Sequence, residues 1–90
     1  MSVKIGVPSG LQRLTHGQEV VEVNGSTIGE CLKHLARQFP GIEGELLDKD
    51  GKLFQYVDIY VNGKSSYPEE LAKPVKDGDD LYILRAVAGG

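Results

Sequence analysis

The chain has 90 residues, of which 40% are hydrophobic and 26% are charged. This length and composition predict one folded domain with a single core, because disordered chains have fewer apolar residues and a larger net charge. The formal net charge is −3 and no cluster of basic residues offsets it, which argues against binding to the phosphate backbone of nucleic acid.

The cysteine count and the apolar runs bear on the cellular compartment. Cys31 is the only cysteine, so neither an intramolecular disulfide nor a cysteine-rich metal site can form. No apolar run is long enough to cross a bilayer, and residues 1–4 do not resemble the start of a signal peptide. We therefore expect a cytoplasmic protein with no membrane partner.

Alternating apolar residues predict two strands near the start of the chain. Val3, Ile5 and Val7 alternate with a lysine and a glycine, which is the pattern of a strand with one buried face. Residues 19–23 show the same alternation and predict a second strand. The two strands are expected to pair in antiparallel fashion.

A helix is predicted to begin directly after Thr27. Thr27 and Glu30 have the spacing of a capping box, in which both side chains accept hydrogen bonds from free amides at the start of the helix. Apolar residues then recur at intervals of three and four until Pro40 and Gly41 end the pattern. The predicted buried face consists of Ile28, Cys31, Leu32, Leu35 and Phe39.

The middle of the chain contains a hairpin. Residues 42–56 have no regular pattern and are interpreted as irregular, with a tight turn at 48–51. Residues 57–61 alternate clearly and predict a third strand. The following pair, Asn62-Gly63, favours a type I′ hairpin turn.

The last predicted strand, residues 80–85, completes the sheet. It follows a short turn near 69–71 and a tight turn at 76–79. The order of the elements places one helix against one face of a mixed sheet, which is an α+β arrangement of two layers. The other face of the sheet has no predicted cover.

Strand alternation predicts an exposed patch on that uncovered face. If Leu81 and Ile83 face the helix, then Tyr82 and Leu84 face away from it, and Tyr60 on the third strand does the same. Aromatic residues gathered on one exposed surface are typical of a protein interface. We therefore predict that Tyr60, Tyr82 and Leu84 dock a partner.

The two glycines at the end of the sequence are the one feature that predicts chemistry. Glycine has no Cβ, so an extended glycine pair can enter a narrow channel and place a terminal carboxylate beside a reactive group of another protein. We predict a domain over residues 1–85 and an extended tail that spans up to about 16–18 Å beyond it. The tail consists of Ala86, Val87, Ala88, Gly89 and Gly90.

Several of these segments together form a set of family motifs. They are Thr27-Ile-Gly-Glu30, Phe39-Pro-Gly41 with Leu46-Leu47-Asp48, residues 57–63, residues 76–79 and residues 86–90. The whole chain resembles the MoaD/ThiS group of ubiquitin-like β-grasp sulfur carriers. Its length and ending are similar to those of the molybdopterin-synthase small subunit and of the cysteine-biosynthesis carrier. The fold that this resemblance implies is a mixed sheet of four to five strands packed on one main helix.

The resemblance also implies a reaction. An E1-like adenylyltransferase of the MoeB/ThiF type would convert the carboxylate of Gly90 into an acyl-adenylate, and a sulfur donor would displace AMP to leave a thiocarboxylate. The chain would be a cosubstrate with no catalytic residue, metal or cofactor of its own, and the activating enzyme would use ATP and Mg²⁺. The acceptor enzyme would be a molybdopterin-synthase large subunit or a cysteine-synthase homologue. Molybdopterin or cysteine biosynthesis is favoured over thiamine biosynthesis.

Two other functions fit the same sequence. An amine can attack the acyl-adenylate, so the chain would then be a ubiquitin-like modifier that is joined through Gly90 to lysines of other proteins. The third hypothesis is an interaction module whose tail has no chemical role.

Other residues with chemical potential are interpreted as structural. Cys31 lies on the apolar face of the predicted helix, where a buried thiol is a poor nucleophile. His16 and His34 lack the spacing of metal ligands and are expected to be solvated. Residues 48–51 begin like a calcium loop but lack its later ligands, so a simple turn is expected.

Overall fold

A computed structural model of the chain describes residues 2–86. The strands are β1 (Ser2–Gly6), β2 (Val20–Asn24), β3 (Val57–Val61), β4 (Lys64–Ser65) and β5 (Asp80–Arg85). The helices are α1 (Ile28–Gln38) and α2 (Glu43–Leu46), and three short 3₁₀ segments cover Ser9–Leu14, Pro40–Ile42 and Glu70–Ala72. Among the described residues, no helix is long and apolar enough to span a membrane.

The five strands form one mixed sheet in the order β2-β1-β5-β3-β4. β1 pairs with β2 in antiparallel fashion and with β5 in parallel fashion. β3 is antiparallel to both β5 and β4. The last strand of the sequence therefore lies at the centre of the sheet, and the antiparallel pairing of β1 with β2 is confirmed.

The core lies between α1 and one face of the sheet, as predicted. Alternate strand residues are fully buried there, among them Ile5, Ile59 and Ile83. The predicted apolar face of α1 is also buried in full: Ile28, Cys31, Leu32, Leu35 and Phe39. The α+β prediction is confirmed, with one main helix packed on a five-stranded sheet in the arrangement expected of a β-grasp fold.

The start of α1 forms a modified capping box. The Oγ1 atom of Thr27 accepts a hydrogen bond from the backbone N–H of Glu30 at 3.1 Å, as predicted. The Glu30 carboxylate reaches back one residue further than expected and accepts from both the backbone N–H and the hydroxyl of Ser26, each at 2.8 Å. These two bonds hold the pKa of Glu30 below its usual range.

One segment differs from the sequence prediction, and one connection contains a turn for which the sequence made no prediction. Residues 42–56 are not irregular throughout, because Glu43–Leu46 forms α2 and buries Leu46. This four-residue helix has no side-chain cap and contains a glycine, so no periodic pattern can be read from its sequence. The connection before β2 also contains a 3₁₀ turn, Ser9–Leu14, which buries Leu11.

The predicted hairpin turn is confirmed by its backbone angles. Asn62 has a φ of 50° and Gly63 a φ of 86°, and a type I′ turn requires positive values at both positions. The Asn62 side chain then connects this turn to the start of β5, because its Oδ1 accepts a hydrogen bond from the Asp80 backbone N–H at 3.0 Å. Its Nδ2 donates to Oδ1 of Asp79 at 3.1 Å.

Asp79 is a buried carboxylate that joins two turns. Besides the bond from Asn62, its Oδ2 accepts from the backbone N–H of Lys76 at 2.9 Å. The pKa of Asp79 is lowered, first by the bond from Lys76 and second by the bond from Asn62. A lowered folded-state pKa stabilises the fold above the unfolded-state pKa, and this contribution is lost as the pH falls through the folded-state value.

We predict that Asp79→Asn lowers the free energy of unfolding at pH 7 by about 1–3 kcal/mol, because an amide accepts through only one of its two terminal atoms. The variant should also lose less stability than the wild type when the pH falls below about 4. Urea unfolding at several pH values measures both effects. Asp80→Asn, which alters the exposed carboxylate next in the chain, is the control. Parallel pH profiles for Asp79→Asn and the wild type would contradict the prediction.

Candidate functional site

The three residues predicted to form a docking patch lie on the uncovered face of the sheet. Tyr60 and Tyr82 are directly opposite each other on β3 and β5, and Leu84 follows two residues later on the same face of β5. Tyr82 is 43% exposed and Leu84 is 39% exposed, whereas Tyr60 is half-buried. The structure therefore brings the three side chains to one surface, which we call the docking patch.

The apolar surface extends beyond the docking patch to the far edge of the sheet. The strand register aligns Val20 of β2, Gly6 of β1, Tyr82 and Tyr60 in one row across four strands. Val20 is 54% exposed, and it lines a shallow, mostly apolar depression together with Gly6 and Tyr82. Sequence reasoning missed Val20 because the alternation of β2 assigns it to the outer face of the sheet. Single apolar residues are common on exposed surfaces, so Val20 alone did not indicate a patch.

A row of charged residues borders this apolar row. Lys4 of β1 lies between Glu22 of β2 and Asp80 of β5, so the signs alternate across three strands. All three side chains are exposed. Charges at the rim of an interface influence the choice and orientation of a partner more than they contribute to affinity.

The end of β5 is fixed to the rest of the domain by two contacts. The backbone N–H of Ala86 donates a hydrogen bond to the carbonyl of Tyr56 at 2.8 Å. The Nη1 atom of Arg85 lies 2.6 Å from Oε1 of Glu45 on α2, and both side chains are partly shielded from solvent. These contacts define where the chain leaves the sheet.

An aromatic pair lies beside the end of β5. The rings of Phe54 and Tyr56 are stacked, with centroids 5.1 Å apart and planes 8° from parallel. Tyr56 is 44% exposed and Phe54 is half-buried against the core. Sequence reasoning missed the pair because it lies in the segment interpreted as irregular, although two aromatic residues at spacing two were a usable signal.

Four of the predicted tail residues lie outside the described part of the chain. They are Val87, Ala88, Gly89 and Gly90. The fifth, Ala86, is described and exposed.

The structure confirms that Cys31 is a buried thiol. Its side chain is fully shielded from solvent, and burial raises the pKa of the thiol, with a smaller contribution from the charge of Glu30. Because the nucleophile is the thiolate, this environment makes Cys31 inert. Among residues 2–86, no group of three His, Cys, Asp or Glu side chains could hold a metal ion.

The two histidines differ in their surroundings. His16 is exposed, as predicted, and its ring meets the ring of Phe39 edge-on at 5.3 Å. His34 is not simply solvated as expected: it is half-buried, and its Nδ1 accepts a hydrogen bond from the backbone N–H of Asn24 at 2.7 Å. Four residues later on α1, Nε2 of Gln38 donates to the carbonyl of Glu22 at 3.3 Å. Both partners are backbone groups at the outer edge of β2.

The model of the ThiS family matches residues 5–90 of the chain. The chain belongs to the ThiS family. The sulfur carrier protein CysO of Mycobacterium tuberculosis is 39% identical over 93 residues, which cover 100% of both chains. A chain in the crystal structure of the Amycolatopsis orientalis BexX/CysO complex superposes with a TM-score of 0.90 and 36% identity, over 98% of this chain and 99% of that one.

Small archaeal modifier protein 1 of Haloferax volcanii is also similar, at 30% identity over 71 residues, or 78% of each chain. The ThiS-family fold is thus shared by proteins named as sulfur carriers and by a protein named as a modifier.

We predict that the Arg85–Glu45 ion pair contributes about 0.5–1 kcal/mol to stability, because its two side chains are only partly shielded and water screens their attraction. A double-mutant cycle of Arg85→Gln and Glu45→Gln, followed by urea unfolding at low and high salt, measures this coupling.

The Lys73–Glu69 pair is a control within the same chain. Its charged atoms are 4.0 Å apart and more exposed, so its coupling should be close to zero. Equal coupling energies for the two pairs would show that Arg85 is not held to α2 in solution.

Proposed function

We propose that this ThiS-family protein is a sulfur carrier whose Gly90 carboxylate is converted to a thiocarboxylate and donates its sulfur to an acceptor. The observation that supports this most directly is the position of β5. This central strand presents Tyr82 and Leu84 on the uncovered face, and in the sequence it is followed by Ala86 and the four residues that end with Gly90. In the proposed function, one strand would connect the surface that docks a partner with the segment that reacts.

The proposed chemistry starts from a poor electrophile. A carboxylate oxygen of Gly90 attacks the α-phosphate of ATP, pyrophosphate leaves, and the product is an acyl-adenylate. A sulfur donor then attacks the carbonyl carbon, and the C–O bond to AMP breaks as a C–S bond forms. The resulting thiocarboxylate carries an anionic sulfur, which attacks an acceptor bound by a second enzyme and displaces a leaving group from it. Hydrolysis then separates the product from the chain and restores the carboxylate of Gly90.

The length of the tail is compatible with a reaction that takes place in the active site of another protein. Because the backbone N–H of Ala86 is bonded to Tyr56, four residues follow the last contact that the structure describes. Four extended residues span at most about 13–14 Å, which is enough to cross the wall of an active site while the docking patch remains outside. The glycines at positions 89 and 90 suit a narrow channel, because they have no side chain to obstruct it.

The activating enzyme would supply the catalytic groups. Among the described residues, the single thiol is buried and His34 is engaged with the backbone of β2. We propose that the ATP and Mg²⁺ of the activation step are held by an E1-like adenylyltransferase of the MoeB/ThiF type. The chain would act as a protein-sized cosubstrate.

The second partner would be the enzyme that holds the sulfur acceptor. The BexX/CysO complex shows that a relative with the same fold assembles with another protein. For this chain we propose a molybdopterin-synthase large subunit or a cysteine-synthase homologue. The corresponding acceptors to test are a molybdopterin precursor and an activated serine derivative.

We predict that incubation with an E1-like enzyme, ATP, Mg²⁺ and sulfide increases the mass of the intact chain by the difference between sulfur and oxygen. The expected exchange lies at the terminal carboxylate, so fragmentation should place it on Gly90. Intact-mass spectrometry before and after incubation is the measurement.

A chain that lacks Gly90 is the control for this experiment. It should fold with an unchanged melting temperature, because no described core residue is removed, and it should not donate sulfur to the acceptor enzyme. A wild-type chain that remains unmodified after incubation with its cognate E1-like enzyme, ATP, Mg²⁺ and sulfide would contradict the proposal.

A ubiquitin-like modifier remains the second candidate, supported by the similarity to small archaeal modifier protein 1. In that reaction a lysine amine attacks the same acyl-adenylate and forms an isopeptide bond. Mass spectrometry of the protein isolated from cells separates the two functions. Isopeptide-linked species of higher mass would indicate a modifier, and a sulfur-for-oxygen exchange without them would indicate a carrier.

We predict that Leu84→Glu weakens binding to the activating enzyme by at least about tenfold, because it places a charge in the apolar docking patch. The melting temperature should change little, since the side chain faces away from the core. Isothermal titration calorimetry and thermal unfolding measure the two quantities.

Ala72→Glu is the matched control for this variant. Ala72 is also apolar and exposed, but it lies in the 3₁₀ turn that packs beside α1, away from the uncovered face of the sheet. It introduces the same charge and should leave the affinity unchanged. Equal affinities of Leu84→Glu and the wild type would remove the docking patch from the proposal.

A further inference from the structure

The backbone conformation at position 6 does not require glycine. Gly6 is the last residue of β1, where it pairs with Val20 on one side and Tyr82 on the other. Unlike Gly63 in the hairpin turn, it does not have a positive φ. An alanine at this position would therefore be compatible with the strand.

The space that a side chain would fill at Gly6 is taken by the ring of Tyr82. A Cβ built on Gly6 would lie 2.9 Å from Cε1 of Tyr82, closer still to Cδ1, and 3.5 Å from Cγ. These distances place the ring against the backbone of β1 rather than upright on β5. An aromatic ring that covers a glycine on a neighbouring strand is a recognised device of β-sheets.

We propose that Gly6 is a positioning residue for the docking patch: the lack of a side chain holds the Tyr82 ring down against β1, in the orientation that the partner recognises. This inference rests on the proposed function, because it assumes that the docking patch binds a partner. The ring lines the mostly apolar depression together with Val20, and the charged residues Lys4 and Asp80 also line it. The recognised feature is therefore a depression that accepts an apolar side chain of the partner.

A Cβ at Gly6 should disturb this surface without disturbing the core. Val3 and Ile5 are buried on the opposite face of β1, and the three atoms nearest to the added methyl group all belong to the ring of Tyr82. The ring must then rotate away, which fills or reshapes the depression beside Val20. A ring that is no longer held in place also loses more conformational entropy when the partner binds, which lowers the affinity.

The test compares Gly6→Ala with the wild type for binding to the activating enzyme. We expect a loss of affinity of roughly three- to tenfold, the effect of releasing one ordered side chain at an interface. Nuclear Overhauser contacts between the Gly6 α-protons and the Tyr82 ring should be present in the wild-type protein. A structural role alone would change the melting temperature but not the affinity.

The same substitution in a chain that already carries Tyr82→Ala shows whether the loss of affinity acts through the Tyr82 ring. In a chain that carries Tyr82→Ala, the further change Gly6→Ala should leave the affinity unchanged, because no ring remains to be displaced. Gly44→Ala is the control for the substitution itself. Gly44 is exposed, has no neighbour within 4 Å of its added Cβ and has no positive φ, so its replacement should not affect binding.

The outcomes separate this inference from the proposal on which it rests. If Leu84→Glu leaves binding unchanged, the docking patch itself is wrong. If Leu84→Glu weakens binding but Gly6→Ala binds like the wild type, Gly6 has no positioning role. An equal loss of affinity on Gly6→Ala with and without the Tyr82 ring would overturn the inference in the same way.

Discussion

The pairing of β5 with both β1 and β3 is the constraint on which the molecule depends. The last strand of the sequence is the central strand of the sheet, parallel to the first strand and antiparallel to the third. Leu81 and Ile83 complete the core from this position, so the fold cannot close without the C-terminal part of the chain. The same strand carries the exposed Tyr82 and Leu84 to the other face. The stability of the fold and the placement of these exposed side chains thus both depend on the pairing of β5 with its two neighbours.

Most of the fold could be predicted from the sequence because its strongest elements have local signals. The buried face of α1 repeats at helical spacing over eleven residues and has a side-chain cap at Thr27. The hairpin after β3 depends on Asn62-Gly63, whose backbone preference is intrinsic to the two residues. The docking patch followed from alternation along β3 and β5. In each case, the residues of a short segment are enough to predict its conformation.

The features that were missed depend on contacts between distant segments. α2 is too short to show a period, and it is held by burial of Leu46 and by the ion pair from Glu45 to Arg85 forty positions away. Val20 and Gly6 become part of the uncovered surface only through the register of β2, β1 and β5. The bond from Asn24 to His34 likewise requires the packing of α1 beside β2. Sequence patterns do not encode such registers directly.

The contacts of α1 with β2 also protect one edge of the sheet. β2 is an edge strand, and an unprotected edge invites strand addition by other chains. His34 occupies the outward amide of Asn24 and Gln38 occupies the outward carbonyl of Glu22, so two adjoining backbone positions of this edge are already bonded. A foreign strand would have to displace both side chains before it could extend the sheet. Strand addition at this part of β2, including self-association of the chain, is therefore disfavoured.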